Sequence, residues 1–148
     1  MSVAGALQPS SPLRRAVRAG KQGIRPADRP RIEEARPHCL VDSLDLDAAL
    51  EEEAPGENRW DYLIGGTHAG QTLLGVEVHP AYTGEVKVVV AKKKAAQAQL
   101  RAHLDAKARV REWIWIASGP TRITKTMPQW RLLTSEGIRL VGSKLVVG

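Results

Sequence analysis

From Leu40 onward, apolar residues recur at two spacings, every second position or every third to fourth, and the alternation marks out the elements. Leu46, Ala49 and Leu50 share one side of a short acidic helix over Leu44 to about Glu53, with Asp42 or Ser43 as its cap and Pro55-Gly56 as its stop. Period-two patterning follows. In the strand Arg59 to Ile64, Trp60, Tyr62 and Ile64 take one face, and Arg59, Asp61 and Leu63 take the other. Gly65 to Gly70 reads as a hairpin loop, and Thr72 to His79 is the returning strand. There Leu74, Val76 and Val78 face one way, and Leu73, Gly75, Glu77 and His79 face the other.

Pro80 stops this strand, Thr83 serves as an N-cap, and a long helix runs from Gly84 to Leu104. Val110 to Ala117 is apolar enough to be a strand buried on both faces. Pro128 opens a short helix that ends at Gly137. Ile138 to Val147 supplies a last strand pair. The order α-β-β-α-β-α-β predicts an α/β domain over residues 39–148, with a central mixed sheet flanked by helices. Residues 1–38 carry scattered Pro, Gly, Ser and Arg without sustained periodicity, and they read as a disordered or loosely attached basic tail. The first 27 residues, rich in Arg and free of acids, also fit an organelle transit peptide.

Charge changes this picture only when it is divided along the chain. The net charge is +6, but residues 1–38 hold eight Arg or Lys against Asp28, Glu33 and Glu34. The other 110 residues are nearly balanced, with fourteen bases and thirteen acids. They are polarised: Asp42 to Asp61 contains eight acids and one Arg, whereas thirteen bases and five acids follow from Glu77. Such a split steers an anionic partner toward one side. No stretch approaches the roughly 18 apolar residues of a membrane span, and no secretory segment is evident. A single cysteine, Cys39, excludes an internal disulfide framework and suits the cytoplasm.

The candidate chemistry sits on the two central strands and the long helix. Asp61 and Glu77 fall on a shared face if their strands pair in register, with His79 beside them. Two carboxylates with water suit Mg²⁺ or Mn²⁺, and such an ion serves phosphodiester hydrolysis. His79 is a ligand for a softer metal, a general base or a phosphate contact. On the helix, Val86, Val90, Lys93, Gln97, Leu100 and Leu104 form a stripe spaced 4, 3, 4, 3 and 4. Lys93 within that stripe either meets a carboxylate on the sheet or snorkels past the sheet edge. Lys87, Lys94 and Arg101 form a second row, read as a nucleic-acid contact or as a solvated face.

The acidic helix, the hairpin bearing Asp61 then Glu77, the covering helix and the next strand resemble the PD-(D/E)XK, or restriction endonuclease-like, nuclease superfamily. The resemblance covers about Leu40 to Ala117. It implies Asp61 and Glu77 as ligands of Mg²⁺ or Mn²⁺. The family's lysine slot holds His79, so Lys93 is the substitute from the helix, with Gln97 resembling the helix glutamine of some branches. The implied function is metal-dependent nucleic-acid cleavage. The alternatives are an inactive module of the same fold that binds nucleic acid or a protein, and an accessory subunit that meets another chain, a second copy of itself included, through Trp130.

Overall fold

A computed structural model describes residues 1–66 and 72–148, so most of the expected loop at Gly65 to Gly70 lies outside the described residues. Six strands form the main sheet in the spatial order β1-β3-β4-β5-β6-β7. They are β1 (Arg18–Ala19), β3 (Leu40–Asp45), β4 (Tyr62–Gly66), β5 (Thr72–His79), β6 (Arg109–Ala117) and β7 (Ile138–Val141). The first three pairings are antiparallel, and β5-β6 and β6-β7 are parallel, so the sheet is mixed as expected. A separate parallel pair joins β2 (Ile32–Glu34) to β8 (Leu145–Val147).

Alternation along the strands sends side chains into two cores. Leu63, Leu73, Trp113 and Trp115 face the side covered by α3 (Val86–Leu100) and α4 (Pro128–Ser135). Tyr62, Ile64, Leu74, Val76, Ile114 and Ile116 face the other side. Among the described residues that second face is covered by Ile24, Ile32, Leu145 and Val147 and by no α-helix. β6 is buried on both faces from Trp113 to Ala117, as its continuous apolar run implies.

The N-terminal segment corrects the expectation of a loose tail. Val3, Ala6, Leu7 and Leu13 are buried on the helix side, and Ile24 and Ile32 on the opposite side. Val3 and Ala6 belong to the four-residue helix α1 (Val3–Ala6), Leu13 to the 3₁₀ turn Pro12–Ala16 and Ile32 to β2, elements too short for a period to announce them. Asp42, expected as a cap for the acidic helix, instead accepts the Val3 and Ala4 N–H groups at 2.7 and 3.1 Å. The arginines are structural as well: Arg14 donates to the Ala4 carbonyl at 2.7 Å and Arg29 to that of Ile24 at 2.7 Å. A relay completes the attachment, running from buried Ser11 and His103 out to exposed Glu53, with Ser11 Oγ 2.8 Å from His103 Nδ1 and His103 Nε2 2.8 Å from Glu53. Ser11 Oγ also accepts the Leu13 N–H, so the array ties the N-terminal segment to the turn after the long helix.

Two helix boundaries move. Leu40 to Asp45 is a strand, which leaves only α2 (Leu46–Ala49) of the acidic helix, capped by Asp45 through the Ala48 N–H at 3.0 Å. The long helix begins after a 3₁₀ turn, Thr83–Glu85, and ends at Leu100 instead of Leu104.

Gly75 in β5 leaves room for two tryptophans on the helix side. Trp60 and Trp113 meet edge to face, with centroids 5.1 Å apart. A Cβ on Gly75 lies 2.9 Å from the Trp113 ring and 3.2 Å from Trp60 Nε1. Gly75→Ala is therefore expected to destabilise the fold by about 1–3 kcal/mol, read from its urea midpoint.

Candidate functional site

The register Tyr62↔Val76 pairs β4 with β5, and carrying it one step further sets Asp61 opposite Glu77. The contact is direct, because the Asp61 N–H donates to Glu77 Oε1 at 3.1 Å. Asp61 Oδ2 accepts the Val78 N–H at 2.9 Å, which fixes its side chain along the strand end. Both acids sit beneath α3: the Glu77 side chain is fully buried, and that of Asp61 is 10% exposed.

The lysine that meets them is Lys92. Its ammonium hydrogen-bonds Glu77 Oε2 and stands 3.9 Å from Asp61 Oδ1. Lys93, expected in this position, turns the other way. It donates to the Glu136 carbonyl and lies 5.9 Å from the Trp113 ring centroid, and burial lowers its pKa. Gln97 is also corrected: it is exposed and lines a cleft of about 450 Å³ with Leu100, Arg101 and Trp113, away from the acids. The physical reason is where the acids lie beneath the helix. Its buried residues are Val86, Val89, Val90, Ala96 and Leu100. Lys93 falls on that line and meets Trp113 and the Glu136 carbonyl, whereas Lys92, about 100° round the helix, leans toward β4 and β5.

His79 stays beside the acids. Its Nδ1 is 3.4 Å from Glu77 Oε2 and its Nε2 is 2.7 Å from Glu85 Oε2. Its pKa is raised, first by the hydrogen bond to Glu77 and further by Glu85, against the opposing effect of burial. Two carboxylates on one imidazole favour the imidazolium, so His79 suits charge balance better than proton abstraction. Asp61 shows the cost of the arrangement. Burial first and the Glu77 charge second push its pKa up to about 6, although Lys92, the Val78 N–H and Arg25 pull it down.

Arg25 is the residue that sequence reasoning missed. Its Nη2 donates to Asp61 Oδ1 at 3.0 Å and its Nε to the Tyr62 hydroxyl at 2.7 Å. The hydroxyl in turn donates to Asp28. Burial opposes the charge of Arg25, but the bond to Tyr62 and the field of Asp61, Tyr62 and Asp45 raise its pKa. Nothing in the pattern around Arg25 signals this role, because it comes from a segment 36 residues upstream of Asp61.

The row Lys87, Lys94 and Arg101 is exposed on α3 and the turn after it. Lys94 pairs with Glu136 at 3.6 Å, and at two residues from Lys92 it points about 200° round the helix. The row therefore does not lead to the carboxylates.

As a metal site the donor chemistry fits a hard divalent cation. Asp61 and Glu77 offer carboxylate oxygens from adjacent strands. Among the described residues no three His, Cys, Asp or Glu side chains are grouped as ligands. An ion here would be held by two carboxylates and otherwise by water, the manner suited to Mg²⁺. No helix among the described residues is long and apolar enough to cross a membrane. Compared with protein-family models, curated proteins and solved structures, the chain shows no significant match to any of them.

Proposed function

We propose that this chain is a metal-dependent nuclease of the PD-(D/E)XK kind, hydrolysing phosphodiester bonds of DNA or RNA. One observation carries the reading: Asp61 and Glu77 meet across two strands, and a single lysine, Lys92, touches both. Burial and the neighbouring Glu77 charge disfavour the ionised form of Asp61 and raise its pKa. A carboxyl group perturbed in this way beside a second acid is a mark of functional sites. Asp61 and Glu77 hold Mg²⁺ or Mn²⁺ in this reading, and the ion supplies water activation and stabilisation of the leaving oxygen. Lys92 offsets the negative charge that develops at the phosphate. His79 and Glu85 support Glu77 from the far side.

The test is cleavage of single- and double-stranded DNA and RNA with Mg²⁺ or Mn²⁺. Wild type is expected to cut at least one of these substrates, with Glu77→Gln and Lys92→Met slower by about 100-fold or more. Lys93→Met should stay within about threefold of wild type, since Lys93 faces α4. Equal cleavage by wild type and Glu77→Gln, or none by either, removes the nuclease reading. The engagement of Asp61 by Arg25 favours a second reading, an inactive module that binds nucleic acid or a protein partner. Salt-sensitive nucleic-acid binding that survives Glu77→Ala, without cleavage, selects it.

A further inference from the structure

Two cations share the charge of the Asp61–Glu77 pair, and they differ in how firmly they are held. The Lys92 side chain is 16% exposed, projects from α3 toward the sheet and bonds the fully buried Glu77. The Arg25 side chain is 45% exposed and belongs to the loop after the 3₁₀ turn Gly20–Gly23. Besides Asp61, it has other carboxylates within reach: Asp28 and Asp45 at 3.9 Å and Asp47 at 4.0 Å. Arg25 Nη2 stands 3.0 Å from Asp61 Oδ1, so a divalent ion that takes this oxygen meets a guanidinium at contact distance, and the two cations repel. One cation must yield, and among the described residues Arg25 is the one with further carboxylates beside it.

We propose that Arg25 is the exchangeable counter-ion of this site, occupying Asp61 Oδ1 in the metal-free protein and passing to Asp28, Asp45 and Asp47 when a divalent cation takes that oxygen. This rests on the metal-binding reading of Asp61 and Glu77. It makes metal affinity a competition, because the apparent constant is weakened by the fraction of molecules in which Arg25 holds Asp61. The acidic stretch before Asp61 then has a use: Asp45 and Asp47 receive the displaced guanidinium. Tyr62, bonded to both Arg25 and Asp28, is the pivot that keeps Arg25 close in either position.

The experiment is Mn²⁺ titration of the full chain by calorimetry and by the electron-spin resonance of free Mn²⁺, with folding of each variant checked by thermal melting. Arg25→Met, which keeps the side-chain stem, is expected to bind Mn²⁺ about tenfold more tightly than wild type. The double variant Asp45→Asn, Asp47→Asn should bind severalfold more weakly, and Asp61→Asn should not bind. If Arg25→Met binds no more tightly than wild type while Asp61→Asn loses the ion, the exchange is overturned and the carboxylate site stands. If no variant binds, Arg25→Met included, the metal-binding reading falls and the exchange with it. Should Arg25→Met not fold, the double variant decides: unchanged affinity overturns the exchange, and weakened affinity supports it.

Discussion

Lys92→Met is expected to lower the unfolding free energy by about 3–5 kcal/mol at pH 7, because it strands a buried carboxylate. Glu77 has no exposed side-chain surface, and its Oε2 loses the ammonium that hydrogen-bonds it. The Asp61 N–H and His79 remain as partners, which places the loss toward the lower end of that range. Adding Glu77→Gln to Lys92→Met should recover most of the loss, since the stranded charge is then gone. Lys93→Met supplies the contrast on the next residue of the same helix. It removes a bond to the Glu136 carbonyl and a contact over Trp113, together worth about 1–2 kcal/mol. Urea unfolding of the four proteins measures all of this. Equal losses for the two lysine variants would refute the assignment of Lys92 to the acids.

In the metal-free protein, Asp61→Asn should gain stability relative to wild type as pH rises from 4 to 7, by up to about 3 kcal/mol. The sign follows from the direction of the shift. The Asp61 pKa is raised from 3.8 to about 6 on folding, so between these values the folded protein binds more protons than the unfolded chain. Stability contributed by the protonated group is therefore full below the unfolded value and falls as pH climbs through about 6. Asparagine does not titrate, and the difference between the two stability curves isolates this group. His79 adds a trend of the same sign to both proteins: its pKa is raised, so its contribution is lost as pH rises through its folded value. Denaturant unfolding at four pH values, with a chelator present, reads the result. A difference curve that is flat, or that slopes the other way, would mean that the ionised Asp61 is held comfortably by Arg25 and Lys92.

The pairing of the central hairpin was legible because strand alternation has a clear period, but β4 begins at Tyr62 instead of Arg59, and Trp60, expected on the face of Tyr62 and Ile64, packs on the helix side against Trp113. Once Leu74 and Val76 are taken as core, Glu77 must lie on the opposite face with Gly75. Asp61 follows, since Leu63 shares its face and packs in the helix-side core. The lysine was not legible at the same resolution. A stripe through Val86, Val90, Lys93, Gln97 and Leu100 and one through Val86, Val89, Ala96 and Leu100 differ by a small turn of one helix. Their apolar content barely separates them: the helix offers Val89 and Val90, and both are buried. Burial of Ala96 instead of Gln97 shifts the line toward Lys92, and the position of the acids to that side of the helix decides which of two adjacent lysines meets them.

The N-terminal segment was misread for a related reason. Periodicity detects elements long enough to bury a whole face, whereas residues 1–34 bury one or two side chains from each of several very short helices, turns and strands. Their partners, Asp42 and Ser43 among them, lie on β3. A segment of this composition has too little apolar surface to order by itself, and here it is ordered because a finished sheet offers two faces to cover.

What the amino-acid order settled alone is therefore local: the antiparallel pairing of β4 with β5, the faces of Leu63, Leu74, Val76 and Glu77, and a lysine-bearing helix after them. These depend on alternation and on turn residues, which act over a few positions. The tertiary structure decided everything that depends on long-range register. It chose Lys92 over Lys93, brought Arg25 to Asp61, and turned an apparent basic tail into part of both cores. Each of those outcomes is set by how preformed surfaces seat against one another, and small differences in rotation or docking carry no periodic trace in the chain.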